Sequence, residues 1–98
     1  MTSNSTNQMP PVAKVEIYTW RYCPYCIRAK MLLNDKGVPF VEHKIDGDHA
    51  ARSAMSVRVG GGMTLPQILI NDRPIGGYTE LSMLESRGEL DALLSSPP

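Results

Sequence analysis

The chain has 98 residues, 42% of them hydrophobic, and its 10 Lys and Arg balance 10 Asp and Glu. That length suits one domain with a modest core, and the even charge gives no general field to attract nucleic acid or an anionic membrane. No apolar run nears the roughly 20 residues of a membrane span, and the start, MTSNSTNQMPPVAK, lacks the basic flank and apolar stretch of a secretory signal, so a soluble cytoplasmic monomer is expected.

Residues 1–13 are mostly Ser, Thr, Asn and Pro with little to bury, which predicts a flexible tail ahead of one domain over 14–98. In KVEIYT, 14–19, branched and aromatic residues alternate, with Val15, Ile17 and Thr19 on one face and Glu16 and Tyr18 on the other, as in a β-strand. From Pro24 to Lys36 the spacing is helical. Ile27, Met31, Leu32 and Leu33 share one side, Arg28 and Lys36 point to solvent, and Gly37 takes the position just beyond the helix. VPFVEHKID, 38–46, reads as a second strand with Pro39 in its first position, which completes a right-handed βαβ unit.

Asp48 caps a second helix that runs to about Val57, and GGGM breaks it. After Thr64-Leu65-Pro66, QILI and RPI flank Asn71-Asp72, whose tolerance of positive φ suits a tight antiparallel hairpin that Gly76-Gly77 then ends. Leu81, Leu84, Leu90, Leu93 and Leu94 recur at helical spacing around Gly88, giving two short helical pieces. The expected fold is α/β, a four-stranded mixed β-sheet with helices on both faces in the order β-α-β-α-β-β-α.

Cys23 and Cys26 are the only two cysteines. A reducing compartment keeps ordinary thiols free, and a disulfide closing so short a loop stabilises by only about 2 kcal/mol, so a structural staple is disfavoured. His43 and His49 loosely complete a zinc-finger order, but they belong to the βαβ pattern and the interval from Cys26 is long. An inert buried pair is the other alternative, and a turn before a helix is a poor place to bury one. Cys23 falls at the N-cap of the first helix with Pro24 at N1. There, free amide N–H groups and the helix dipole favour thiolate, and Arg21 and, more weakly, Arg28 add to the effect. Cys26, one turn in, lies within disulfide reach but beside amides already in the helical ladder, so its pKa is the higher. Such asymmetry suits dithiol exchange, in which one sulfur attacks and the other resolves.

CPYC after the first strand, TLP before the third and GG after the fourth resemble the glutaredoxins, over about 14–94. The resemblance implies a thioredoxin-like fold and an enzyme that uses glutathione as reducing co-substrate, with no metal, to act on glutathionylated or disulfide-bonded proteins. It implies that Cys23 takes the glutathionyl group and Cys26 resolves protein disulfides. Tyr25 would flank the glutathione sulfur, Pro66 would be cis and expose the Leu65 backbone to pair with the glutathione cysteine, and Thr64 would lie beside it. Gly76 and Gly77 would bring backbone close to the ligand, and Thr79 with Glu80 would hold the γ-glutamyl end at a helix start. Trp20 stands where many members carry a lysine for the glycyl carboxylate, with Arg58 or Arg21 as replacement, and Tyr78 stands where a small residue or Cys is common. Two alternatives within this resemblance are a hydrogen donor recycled by thioredoxin reductase and a glutathione-assisted [2Fe-2S] carrier.

Overall fold

The computed structural model describes residues 12–98. β1 (Val15–Thr19) is followed by α1 (Pro24–Asp35), β2 (Val41–Lys44), α2 (His49–Arg58), β3 (Gln67–Ile70), β4 (Arg73–Gly76), α3 (Tyr78–Ser86) and α4 (Leu90–Ser95). The strands form one sheet in the order β2-β1-β3-β4. β1 pairs parallel with β2, opposing Ile17 to Glu42, and antiparallel with β3, opposing Ile17 to Ile68. A parallel pair needs a crossover, which α1 supplies; the antiparallel β3–β4 pair needs only the Asn71-Asp72 turn. Asn71 (φ 52°) and Asp72 (φ 66°) are both left-handed, as a two-residue hairpin turn requires.

Helices cover both faces, as expected. On one, Val15, Ile17, Ile68 and Ile70 pack against Ala29 and Leu33 of α1, Leu81 of α3, and Leu90 and Leu94 of α4. On the other, Tyr18, Ile45 and Leu69 pack against Met55 of α2. β1 and β3 are therefore buried along their whole length. Each fully buried Ile or Leu contributes about 1.5–3 kcal/mol. Among the described residues no helix is long and apolar enough to cross a membrane.

Four expectations are corrected. The buried stripe of α1 runs through Cys26, Ala29 and Leu33, while Ile27 and Met31 are exposed. Small Ala29 lets the helix lie close to the sheet, which turns the neighbouring stripe of larger side chains outward. Lys36 does not point to free solvent; its Nζ reaches Glu85 at 2.7 Å and Asp91 at 2.8 Å, tying the end of α1 to α3 and α4. The second strand is shorter than 38–46, because β1 offers partners only from Glu16 to Thr19. Pro39 consequently precedes the strand, and Val38 and Phe40 pack against the core. The expected tail, 1–13, lies outside the described residues up to 11. Its last residue belongs to the fold, since Ala13 is buried and its amide donates to the Leu94 carbonyl at 2.9 Å.

Candidate active site

β1 ends in the sheet's centre, and residues 20–22 turn the chain into α1. Cys23 caps that helix with extended backbone (φ −128°, ψ 100°), Pro24 follows at its first position, and the Cys26 amide donates to Cys23 Sγ at 3.2 Å. The helix N-terminus thus supplies a backbone donor directly to the first sulfur, as the N-cap argument expects. The two cysteines are paired as a disulfide with Cα atoms 5.1 Å apart. Cys23 is half-buried and Cys26 is 1% exposed. An incoming disulfide therefore meets Cys23, and Cys26 reacts only with what Cys23 holds.

The Leu65–Pro66 bond is cis. Cys23 Sγ lies 3.8 Å from the Leu65 carbonyl oxygen, so the loop before β3 forms a wall beside the pair. A cleft of about 160 Å³ opens there, lined by Tyr25, Leu65, Pro66, Gly77, Thr79 and Glu80 together with Tyr78. Tyr25 and Tyr78 stand with ring centroids 6.2 Å apart. The first hydrogen bond of the α3 ladder runs from the Leu81 amide to the Gly77 carbonyl. The Tyr78, Thr79 and Glu80 amides precede that ladder, at the positive end of the helix dipole.

Two of the expected glutathione contacts lie outside this lining. Thr64 Oγ1 accepts from Gln67 Nε2 at 3.2 Å and braces the loop. Gly76 has φ +116°, and a Cβ there would sit 2.7 Å from Glu80 Cγ, so it makes room for Glu80. The Glu80 carboxylate is itself committed, accepting the Gly77 amide at 2.7 Å. Glu80 lines the cleft while its side chain caps the helix. Gly76→Ala should accordingly destabilise the chain by about 1–3 kcal/mol through strained backbone and loss of the Glu80 cap, read as a lower urea midpoint.

Arg58 is not a ligand cation for this cleft. Its guanidinium donates to Glu16 (2.8 and 3.0 Å), the Tyr18 hydroxyl (3.0 Å) and Asp72 (3.1 Å). Asp72 belongs to the hairpin turn beside the start of β1, at the far end of the strand from Cys23. Arg21 is largely exposed, with its amide donating to Asp46 Oδ2 at 2.8 Å and its Nε 3.5 Å from the same oxygen. Arg28 lies 5.1 Å from the Tyr25 ring centroid. Sequence reasoning missed Arg52, which lies 5.2 Å from the Trp20 ring centroid and donates to the Met63 carbonyl at 2.8 and 3.2 Å. Nothing in the local pattern of α2 marks a contact that depends on the loop after it folding back. His43 bonds Glu16 at 3.0 Å through Nε2.

A larger cleft, of about 360 Å³, reaches the other cysteine. Thr19, Trp20, Arg21, Cys26, Ile27, Lys30, Glu42, Lys44 and Asp46 line it. Glu42 Oε2 accepts from the Thr19 hydroxyl at 2.7 Å and Lys30 Nζ at 2.9 Å. Burial pushes the Glu42 carboxyl upward, but the Lys30 and Thr19 donors outweigh it and hold the group below its ordinary value.

The Glutaredoxin family model matches residues 15–75. A probable glutaredoxin of Synechocystis sp. is 62% identical over 86 residues, which are 88% of this chain and 79% of that protein. Among solved structures, the dithiolic glutaredoxin 2-C-Grx1 of Trypanosoma brucei brucei aligns with a TM-score of 0.75 and 35% identity, covering 85% of this chain and 88% of the other. A buckwheat glutaredoxin–glutathione complex aligns with a TM-score of 0.75 and 25% identity, covering 84% of this chain and 76% of the other. The thioredoxin-like architecture and the disulfide-forming Cys23–Cys26 pair fit these matches.

Proposed function

The chain belongs to the glutaredoxin family and is a thiol–disulfide oxidoreductase built on the Cys23–Cys26 pair; we propose that glutathione is its reductant and that it works by two routes from one nucleophile. In the first, the Cys23 thiolate attacks the glutathione sulfur of a glutathionylated protein. The protein thiolate leaves and takes a proton, and a second glutathione thiolate then frees Cys23 as oxidised glutathione departs. Cys26 takes no part. In the second, Cys23 attacks a protein disulfide, Cys26 closes on Cys23, and the protein leaves with both of its thiols reduced. Two glutathiones then reduce the Cys23–Cys26 disulfide: the first thiolate attacks Cys23 and releases Cys26, and the second attacks the glutathione sulfur of that mixed disulfide, releasing Cys23 and oxidised glutathione, so that both electrons end on the protein sulfurs.

The observation that carries this reading is the small cleft beside the pair. It presents the Leu65 backbone beside Cys23 Sγ for strand-like pairing, Tyr25 in its wall, and the start of α3 at Thr79 and Glu80, whose amides suit a carboxylate. These elements match a γ-linked tripeptide end to end: sulfur at Cys23, cysteinyl backbone at Leu65, γ-glutamyl carboxylate at the helix start. The buckwheat relative, solved as a complex with glutathione, supports the same ligand. A monomer acting in the reducing cytoplasm completes the proposal, because a glutathione pool poised near its own potential is what recycles such a pair.

The test is the source of electrons. With NADPH, glutathione and glutathione reductase, the chain should reduce a mixed disulfide of glutathione at a rate that depends on glutathione. Turnover only with thioredoxin reductase would assign the chain to the hydrogen-donor class instead, and a brown dimer as purified would favour the cluster carrier.

A further inference from the structure

The larger cleft is not used by the glutathione reading, yet it borders the buried resolving cysteine. Cys26 lines it, as do Lys30 from α1, Glu42 and Lys44 from β2, Thr19 from β1, and Arg21 and Asp46 from the flanking loops. Lys30 follows Cys26 by four residues in α1, the spacing at which two helical side chains share a face. Helical side chains lean toward the N-terminus, which sends the Lys30 stem back over Cys26. Its ammonium is held by Glu42 at 2.9 Å, and Glu42 is held in turn by Thr19 at 2.7 Å. This is a positioned cation sharing a cleft and a helix face with a thiol that must ionise to react.

We propose that Lys30 is a positioning residue for the resolving step: its ammonium, anchored by Glu42, stabilises the Cys26 thiolate while cleft water carries the proton away. The assignment rests on the two-route reading above. Cys26 loses its proton to water, and its sulfur lone pair attacks Cys23 Sγ of the mixed disulfide. The Cys23–Cys26 bond forms as the Cys23–substrate bond breaks, and the substrate sulfur leaves with that electron pair and is protonated. Two protein thiols are oxidised and one substrate disulfide is reduced. Glu42 is a weak base in this setting, since its two donors favour the ionised form; it serves as the anchor and does not take the proton. Arg21 is 68% exposed and Lys44 is exposed, whereas Lys30 is 30% exposed, so among the cleft's cations Lys30 is the least screened by solvent.

The direct measurement is the pH dependence of the ultraviolet thiolate absorbance of Cys26 in a Cys23→Ser background. Lys30→Gln should move the midpoint upward by about one pH unit, and Lys30→Arg should restore it. In the chain with both cysteines, Lys30→Gln should lower protein-disulfide reduction relative to deglutathionylation about threefold, because the roughly tenfold loss of thiolate is partly offset by the greater nucleophilicity of a more basic sulfur. An unmoved midpoint, or one that Lys30→Arg fails to restore, overturns the assignment. If the wild-type chain takes its electrons from a source other than glutathione, the proposed function falls, and the Cys26 midpoint still decides what Lys30 does.

Discussion

Cys23→Ser should reduce both routes to background, while Cys26→Ser retains deglutathionylation and loses only protein-disulfide reduction. The asymmetry follows from position. Cys23 is half-buried at the mouth of the small cleft and accepts the Cys26 amide, whereas Cys26 is 1% exposed and touches substrate only through Cys23. The advantage of a helix N-cap for such a thiol is specific to one half of its cycle. A thiol lowered from about 8.5 to about 5 gains about 30-fold in thiolate at pH 7, but its nucleophilicity falls by a comparable factor, because reactivity tracks basicity with a coefficient of about 0.4–0.5. Attack therefore gains little. Departure gains most, since a stable thiolate leaves readily when the second glutathione strikes. Assays of both routes, with a glutathionylated peptide and with a protein disulfide, check the prediction; equal loss in the two variants would remove the two-route scheme.

The parts of this site that a sequence can show are those written in adjacent residues. The strand–CPYC–helix turn sets the N-cap, and the hairpin needs only Asn71 and Asp72 to accept positive φ. Element order and the two-faced cover of the sheet follow from periodicity, since the strand and helix periods differ. What stays hidden is long-range. Which stripe of α1 faces inward is decided by how closely Ala29 allows the helix to approach, and Ile27, Met31 and Leu32 give an equally apolar alternative. Glu80 has the spacing of a helix-start acid, but whether its carboxylate meets a ligand or the Gly77 amide depends on the left-handed Gly76. The 26-to-30 spacing on α1 is plain in the sequence, yet nothing local says that Glu42 and Thr19 will close around Lys30. Arg58 is the clearest case. A cation near the Thr-Leu-Pro turn in sequence lies at the opposite end of β1 in space, because α2 runs antiparallel to β1 and carries it there.

Arg58→Met should destabilise the fold by about 3 kcal/mol at pH 7, the largest structural effect expected of a residue outside the core. Glu16 is the second residue of β1, an interior strand, and is 8% exposed, a costly place for a carboxylate. Arg58 meets it with two nitrogens, at 2.8 and 3.0 Å, and His43 Nε2 lies 3.0 Å from it. The Arg58 hydrogen bonds are the main cause that brings the Glu16 carboxyl down to about 2 from 4.5, against the opposing effect of burial. A folded value below the unfolded one adds stability that is complete above about pH 4.5 and is lost as pH falls toward 2. At about 1.36 kcal/mol per pH unit, that difference is worth about 3 kcal/mol. Removing Arg58 leaves the carboxylate buried with weaker partners, His43 and Lys14, the latter 3.8 Å away. The penalty therefore falls at the lower end of the range for a broken buried pair. It is also pH-dependent. Urea unfolding at pH 7 should separate the variant from the wild type by the full amount, and at pH 2–3 the gap should narrow, because the wild type itself gives up the charged pair on protonation. A gap of equal size at both pH values would mean that Arg58 acts through the packing of its stem on Tyr18 and not through its charge. Glu16→Met combined with Arg58→Met should cost clearly less than the two single changes added, since the double variant buries no orphaned charge.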